Sequence, residues 1–394
     1  MNNKTNKILI VSSEFPPGPG GIGNHAYHLA RQLTLHGIEV LILTPQDYST
    51  PKIITAFNQQ QPFSIITLKD KKAKLVKPLY RLRTLSKAVR DFQPACIIAT
   101  GARSTWVTAL LTIFQHIPWL AVGHGTEFGG ALNWEKRITR LCFNSSDICV
   151  FVSEFTRQAA RRLGIRPGLE FVIHNAADEE TFHPGQVEVK KDLASELGFA
   201  TDDPILLTVG NLTRRKGQEI VIQAMPEILE SHPHTRYLIA GLPTEEMMLK
   251  NLARNLGVEE NVYFLGSLHK EKLSALYQAC DLFVMTSQHM SDGDFEGFGI
   301  SVIEAALCGK PAVVSRESGL SEAVIDGETG ICVPEKDPRQ TANAIIKLLN
   351  DKQLRKKMGS NALRRANEEL TWRIVGEKYA RLIDDFLGKP AINK

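Results

Sequence analysis

The sequence predicts an α/β protein made of two doubly wound parallel sheets in series. Three observations carry this expectation. Short, continuous apolar runs alternate with helical periodicity, as in sheets covered on both faces. The alternation stops over a polar stretch, residues 183–204, and then restarts. The two halves also carry charge of opposite sign: residues 1–185 hold 21 Lys and Arg against 13 Asp and Glu, a net +8, and residues 186–394 hold 26 against 30, a net −4. A length of 394 residues suits two or three domains.

The elements follow in order. Residues 7–12 form an apolar strand that runs into a Pro/Gly loop ending at Gly23. Residues 24–36 repeat Ala26, Leu29, Ala30 and Leu33 at helical spacing and stop before Gly37. Strands are predicted at 39–44, 64–68, 95–99, 119–123, 148–153 and 170–173. A short helix, 190–197, is expected inside the polar stretch. The second series predicts strands at 205–209, 236–240, 262–265, 282–286, 312–315 and 330–333. Its helices are 218–231, 247–256, 270–279 and 301–307, and the tail from Asp337 reads as mostly helical.

Composition excludes several classes. With 43% hydrophobic and 23% charged residues, the chain is not disordered, collagen-like or low-complexity. Its longest apolar runs, such as 148–152, fall far short of the ~20 residues of a membrane span. Residues 8–11 are too short for a signal segment, so a cytoplasmic protein is expected. Cys96, Cys142, Cys149, Cys280, Cys308 and Cys332 form no C-x-x-C pair and read as reduced core thiols. No residue group reads as a metal site.

Gly18-Pro19-Gly20-Gly21-Ile22-Gly23 satisfies G-x-G-x-x-G, but residues 13–17 intervene after the strand and no acid ends the second strand to hold a ribose. A nicotinamide dehydrogenase is therefore the inferior reading. The loop still leads into a helix N-terminus that can present N–H groups to phosphate, with a plain connection as the alternative. Asp292 and Asp294 form a lone D-x-D, more often a polar loop than a metal site.

Residues 296–311 are more specific. Glu296 sits in a Gly-rich loop, and Glu304, separated from it by seven residues, lies in an apolar helix that stops at Gly309 before Pro311. Were all eight steps helical, the two would stand ~12 Å apart, about the span from sugar to ribose of a nucleotide sugar. Glu304, among Val302, Ile303, Ala305 and Ala306, needs a hydrogen-bonding partner, and ribose hydroxyls would serve. The Gly297–Gly299 amides can face a diphosphate.

Glu296 to Glu304 resembles the E-x7-E motif of the retaining GT-B glycosyltransferases of group 1, family 4. Residues 209–217 (VGNLTRRKG) resemble that family's G-R-L-x-x-x-K-G. Residues 264–266, 276–281, 318–322 and 326–330 resemble its other C-terminal segments. Gly20-Gly21 fits its glycine loop, and residues 124–127 (HGTE) its H-G-x-E/D segment. The resemblance implies a GT-B fold: an acceptor-binding Rossmann-like domain at 1–183, a linker at 184–203, and a nucleotide-sugar-binding domain at 204–369. Two such domains would face a cleft, with a helix in 370–394 returning to the first domain.

It also implies roles. Glu296 holds sugar hydroxyls, Glu304 the ribose, and Lys216 the leaving diphosphate. His124 approaches the donor sugar and acceptor. Gly20, Gly21, Gly297, Phe298, Gly299, Ile300, Asn211 and Arg215 complete the donor site. Asn211 stands where the family carries Arg, and Arg214 or Arg215 is the candidate replacement. The implied reaction is metal-independent hexosyl transfer, with retention, from a UDP- or GDP-sugar to an acceptor hydroxyl in polysaccharide or glycolipid assembly, without a cofactor. A GT-B epimerase and a non-catalytic binding protein are the alternatives.

Residues 69–90 hold nine basic residues and one acid, Asp70. With Leu75, Leu79, Leu82 and Leu85 they read either as a solvated segment or as a peripheral contact with an anionic inner membrane surface and a lipid-linked acceptor. Nucleic acid is not expected, since no aromatic residues interleave the basic ones.

Overall fold

The computed structural model describes residues 7–18, 20–68, 77–129 and 132–388. In chain order, β1 (Lys7–Ser12), α1 (Gly21–Leu35), β2 (Glu39–Pro45), α2 (Pro51–Gln59), β3 (Ser64–Leu68), α3 (Lys77–Phe92) and β4 (Cys96–Thr100) come first. α4 (Ala102–Phe114), β5 (Trp119–Gly123), α5 (Asn133–Ser145), β6 (Ile148–Phe151), α6 (Glu154–Arg162) and β7 (Leu169–Val172) follow. These seven strands form one parallel sheet in the order β3-β2-β1-β4-β5-β6-β7. The reversal beside β1 is the switch point of a doubly wound sheet.

The series restarts with α7 (Val187–Leu197), β8 (Ile205–Val209), α8 (Gln218–Ser231), β9 (Arg236–Ala240), α9 (Glu246–Asn255), β10 (Val262–Phe264), α10 (Lys270–Ala279) and β11 (Leu282–Met285). α11 (Ile300–Leu307), β12 (Ala312–Ser315), α12 (Leu320–Ala323), β13 (Gly330–Val333), α13 (Pro338–Asn350), α14 (Lys352–Glu369) and α15 (Trp372–Leu387) complete it. Its six strands are parallel in the order β10-β9-β8-β11-β12-β13, with the switch beside β8. The central strands of both sheets are buried along their length, as their continuous Val, Ile and Leu runs require.

The chain forms two compact units, Met1–Asn175 with Trp372–Lys394, and Ala176–Thr371. In the first, α15 packs on α1: Trp372 stacks on His28 at 5.2 Å, and Gly376 lies against the Gln32 side chain. In the second, α7 packs on α10, and Lys190 Nζ reaches Asp281 Oδ2 at 2.8 Å. Residues 184–203, read from sequence as a linker, thus include a docked helix. They look polar because α7 buries little beyond Ala194. All six cysteines are free and buried. No described helix is long and apolar enough to cross a membrane.

Candidate active site

The second unit gathers the strongest constellation at the carboxyl ends of β8 and β11. After β8 the chain makes a single 3-10 turn, Arg214–Lys216, closed by Gly217 at φ +72. Only glycine suits that turn: a Cβ at Gly217 would lie 1.9 Å from the Thr286 carbonyl oxygen, besides the cost of the left-handed backbone. Thr286 Oγ1 donates to the Gly217 carbonyl at 2.8 Å, and Gln288 Nε2 to that of Arg214 at 2.7 Å. The turn is thereby clamped to the segment that follows β11.

This clamping aims two cations at one carboxylate oxygen. Lys216 Nζ and Arg215 Nη1 each stand 2.5 Å from Glu296 Oε2, and Arg215 Nε reaches Asp294 Oδ2 at 3.2 Å. Burial alone would raise the Glu296 pKa. The Lys216 and Arg215 charges and their hydrogen bonds outweigh it and hold the group down at about 2. Burial lowers the Lys216 pKa, with Glu296 working against that shift. Arg214 is exposed, and its backbone N–H donates to Glu245 Oε2 at 2.6 Å. Of the two candidates to replace the family's arginine, Arg215 is the one at Glu296. Asn211 is exposed, and its carbonyl accepts from Gln218 Nε2 at 3.2 Å.

Glu304 lies on α11, which begins only at Ile300; Gly299, at its N-cap, and the Glu296–Phe298 segment are not helical. The all-helical separation of the two glutamates therefore does not apply. Glu304 Oε2 accepts from Tyr277 Oη at 2.5 Å, so a side chain of α10 supplies the partner its sequence context demands. Burial pushes the Glu304 pKa up to about 7, tempered by the Tyr277 hydroxyl. Gly297, Phe298 and Gly299 are buried, and a Cβ at Gly319 would meet the Gly297 carbonyl oxygen at 2.0 Å. That close approach packs the E-x7-E loop against the start of α12. Ile300 and Ser301 open α11, where N–H groups have no acceptor within the helix.

The first unit carries a second, separate cluster. His124 follows β5 and is buried, its Nε2 2.7 Å from Thr100 Oγ1 and its ring 4.9 Å from that of His25. Burial pulls its pKa down to about 3, so it is a neutral imidazole. Glu127 Oε2 accepts the N–H groups of His124 and Gly125 at 3.1 and 2.9 Å. Its Oε1 is buried without a hydrogen-bond partner, and burial pushes its pKa to about 7. Gly20 caps α1 and leaves room for Glu14, since a Cβ there would sit 1.6 Å from Glu14 Oε2; Gly21 opens the helix. Pro19 of the glycine motif lies outside the described residues.

The profile "Glycosyl transferases group 1" matches residues 189–365, and "Glycosyltransferase Family 4" matches residues 19–181. A relative described as an uncharacterized glycosyltransferase from Methanocaldococcus jannaschii is 35% identical over 93% of this chain and 95% of its own. The chain belongs to the group 1 glycosyltransferases. This glycosyltransferase is also similar to a GDP-mannose-dependent monoacylated alpha-(1-6)-phosphatidylinositol monomannoside mannosyltransferase of Corynebacterium glutamicum. The two are 27% identical over 96% of this chain and 97% of the relative. Among solved structures, Anabaena Alr3699/HepE in complex with UDP and glucose matches with a TM-score of 0.82 at 21% identity, over 96% of this chain and 100% of that one. Sucrose-phosphate synthase from Thermosynechococcus elongatus matches at 0.83 and 22%, over 97% and 99%. The fold of the glycosyltransferase is GT-B, with two Rossmann-like domains.

Sequence reasoning gave three residues of these clusters no role. Asp294 was read only as half of a D-x-D, Tyr277 only as part of a matching segment, and Glu127 only as the end of H-G-x-E. Glu127 shares its motif with His124, and Asp294 lies two positions before Glu296; Tyr277 has no such neighbour in the chain.

Proposed function

We propose that this glycosyltransferase moves a hexosyl unit from a nucleoside-diphosphate sugar, UDP- or GDP-linked, to an acceptor hydroxyl. Transfer proceeds with retention at the anomeric carbon and without a metal, in polysaccharide or glycolipid assembly. The observation that carries this reading is the convergence of Lys216 and Arg215 on Glu296 Oε2. Two positive charges held beside one carboxylate make a site where a diphosphate and a sugar hydroxyl can be bound side by side. The GDP-mannose dependence of one relative and the UDP and glucose bound in one solved homologous fold support a donor of this class.

In this reading the sugar–phosphate C–O bond breaks and the nucleoside diphosphate leaves with the electron pair. Lys216 and Arg215 stabilise the charge that grows on it, as a divalent cation would elsewhere. The acceptor oxygen forms the new C–O bond on the same face of the sugar, and its proton passes to the departing phosphate oxygen. Glu296 orients the sugar through its hydroxyls, and ionised Glu304 accepts from the ribose. His124, as a neutral imidazole, contributes hydrogen bonding rather than charge. Glu296 is not a glycosidase-type nucleophile in this scheme, because its reactive oxygen already holds two cations.

The test is a metal-free panel of UDP-, GDP- and ADP-sugars, read by thermal stabilisation and slow donor hydrolysis for wild type and Glu296→Ala. The expected result is one donor that stabilises the fold and is cleaved, with sugar discrimination lost in Glu296→Ala. If no nucleotide sugar raises the melting temperature, the donor-site reading fails. Isomerisation of the donor without an acceptor would point to an epimerase instead.

A further inference from the structure

The two cations at Glu296 come from the turn after β8, not from the basic stretch 69–90. Of that stretch, residues 69–76 lie outside the described residues, and the rest belongs to α3 of the first unit. The two cations are held differently. Arg215 Nε lies 3.2 Å from Asp294 Oδ2, while its Nη1 lies 2.5 Å from Glu296 Oε2. Contacts at two nitrogens fix both where a planar guanidinium sits and which way its plane faces. Nη2 keeps two N–H groups with no acceptor among the described residues. Lys216 meets the same Glu296 oxygen through a compact ammonium, which has no plane to orient.

The loop that carries Asp294 does not need its charge. Met290 N–H donates to the Asp294 carbonyl at 3.0 Å, and Gly293 N–H to that of Met290 at 2.9 Å. Asp292 Oδ1 accepts the Asp294 N–H at 3.0 Å, and Asp294 Oδ1 accepts that of Phe295 at 3.0 Å. The D-x-D pair thus splits into one acid that shapes the loop and one whose second oxygen is turned on Arg215. An asparagine at 294 could make the same loop hydrogen bond without a charge. Burial raises the Asp294 pKa even though the Arg215 charge works against it, so the ionised form is held there at a cost. A carboxylate in this place also repels any anion that approaches Arg215 and Lys216. Both penalties call for a return, and the contact with Arg215 Nε is where it can lie.

We propose that Asp294 is a positioning residue: it pins Arg215 with the Nη2 side toward the departing diphosphate, and it weakens ground-state binding of that diphosphate. The inference rests on the donor reading given above and deepens it. A guanidinium tied to Glu296 alone can pivot about Nη1 and follow the phosphates of the bound donor, which strengthens binding without favouring departure. Tied to Asp294 as well, it already stands where charge grows and needs no reorganisation at that moment. Asn211, exposed and uncharged, adds no cation of its own, so the aim of Arg215 matters more in this chain. Asp294 touches neither donor nor acceptor in this scheme and acts through Arg215.

The experiment uses the full-length protein, with UDP-glucose and GDP-mannose as donors and water as the acceptor. Affinity for UDP and GDP is measured separately by calorimetry. Asp294→Ala is expected to lower kcat for donor hydrolysis by about tenfold, while nucleoside-diphosphate affinity stays level or rises by up to about threefold. Asp294→Asn, which keeps the bond to the Phe295 N–H, should show the same split, and it decides the question if Asp294→Ala fails to fold. In an Arg215→Lys background there is no plane left to aim, so removing Asp294 should change kcat by less than about twofold. A fall in UDP and GDP affinity, an unchanged kcat, or a full effect in the Arg215→Lys background overturns the proposal and leaves the donor reading standing. A wild type that neither binds nor hydrolyses either donor overturns both.

Discussion

Glu296 and Glu304 belong to one motif yet are held at opposite ends of the carboxylate range. Two cations keep Glu296 near 2, while burial beside a single hydroxyl lifts Glu304 to about 7. If Glu304 must be ionised to accept from a ribose, donor binding weakens as pH falls through 7, and the donor KM should rise with a one-proton slope. Tyr277→Phe removes the hydroxyl that favours the carboxylate, so the midpoint should move to higher pH and KM at neutral pH should rise by about tenfold. Because Glu127 also titrates near 7, Glu304→Gln is the control: a pH dependence of KM that survives it would assign the effect elsewhere.

The histidines make a separate acid prediction, about stability rather than donor binding. His25 and His124 have pKa values lowered by burial, so the fold favours their neutral forms. Their stabilisation is complete above the unfolded value near 6.5 and is lost as pH falls below it, for His124 down to about 3. Thermal unfolding followed against pH should show the first unit weakening in that window, with His124→Gln flattening the dependence. At this scale the sequence disclosed which residues matter better than whom they touch. Glu304's need for a partner follows from its apolar neighbours, but Tyr277, 27 positions earlier, becomes adjacent only when α10 and α11 pack. The choice of Arg215 over Arg214 rests on the sense of one 3-10 turn, which composition does not encode.

At the scale of elements, apolar patterning was the legible part. Strands β3, β5, β8, β9, β12 and β13 and helices α8 and α10 occur at the residues read from sequence, because buried runs and their Gly or Pro stops act locally. α2 is not read from the sequence although Thr50 and Pro51 give it an N-cap and a first-turn proline; its apolar side, Ile54 and Phe57, is only half-buried and spans nine residues. The short turn before α8 is the element on which the site depends. Gly217→Ala would drive a Cβ into the Thr286 carbonyl and force a left-handed alanine. Its expected cost is about 1–3 kcal/mol in urea unfolding, with a larger drop in kcat/KM as Lys216 leaves Glu296. Unchanged activity in a destabilised variant would show that the turn does not position Lys216.

For the whole molecule, the boundary of the first unit is not a point on the chain. α15 buries Trp372, Val375, Tyr379 and Ile383, each at most 3% exposed. At about 1.5–3 kcal/mol per side chain this is roughly 6–12 kcal/mol, comparable with the ~5–15 kcal/mol stability of a whole domain. A chain ending at Thr371 should therefore keep a protease-resistant second unit while the first is digested. Equal resistance of both units would contradict the account. Sequence periodicity reads the tail as helical and the family resemblance implies its return to the first domain; the packing of Trp372 on His28 is the contact that neither could name.

That arrangement sets an order of events during synthesis. Residues 7–175 leave the ribosome first, but the helix that closes their core follows about 200 residues later. At about 5–20 residues per second, the delay is roughly 10–40 s. Over that interval the second unit can finish folding while α1 still exposes the surface reserved for α15. The nascent chain would present the uncovered face of α1 throughout that interval, and a chaperone that recognises such surfaces would have one defined time in which to act.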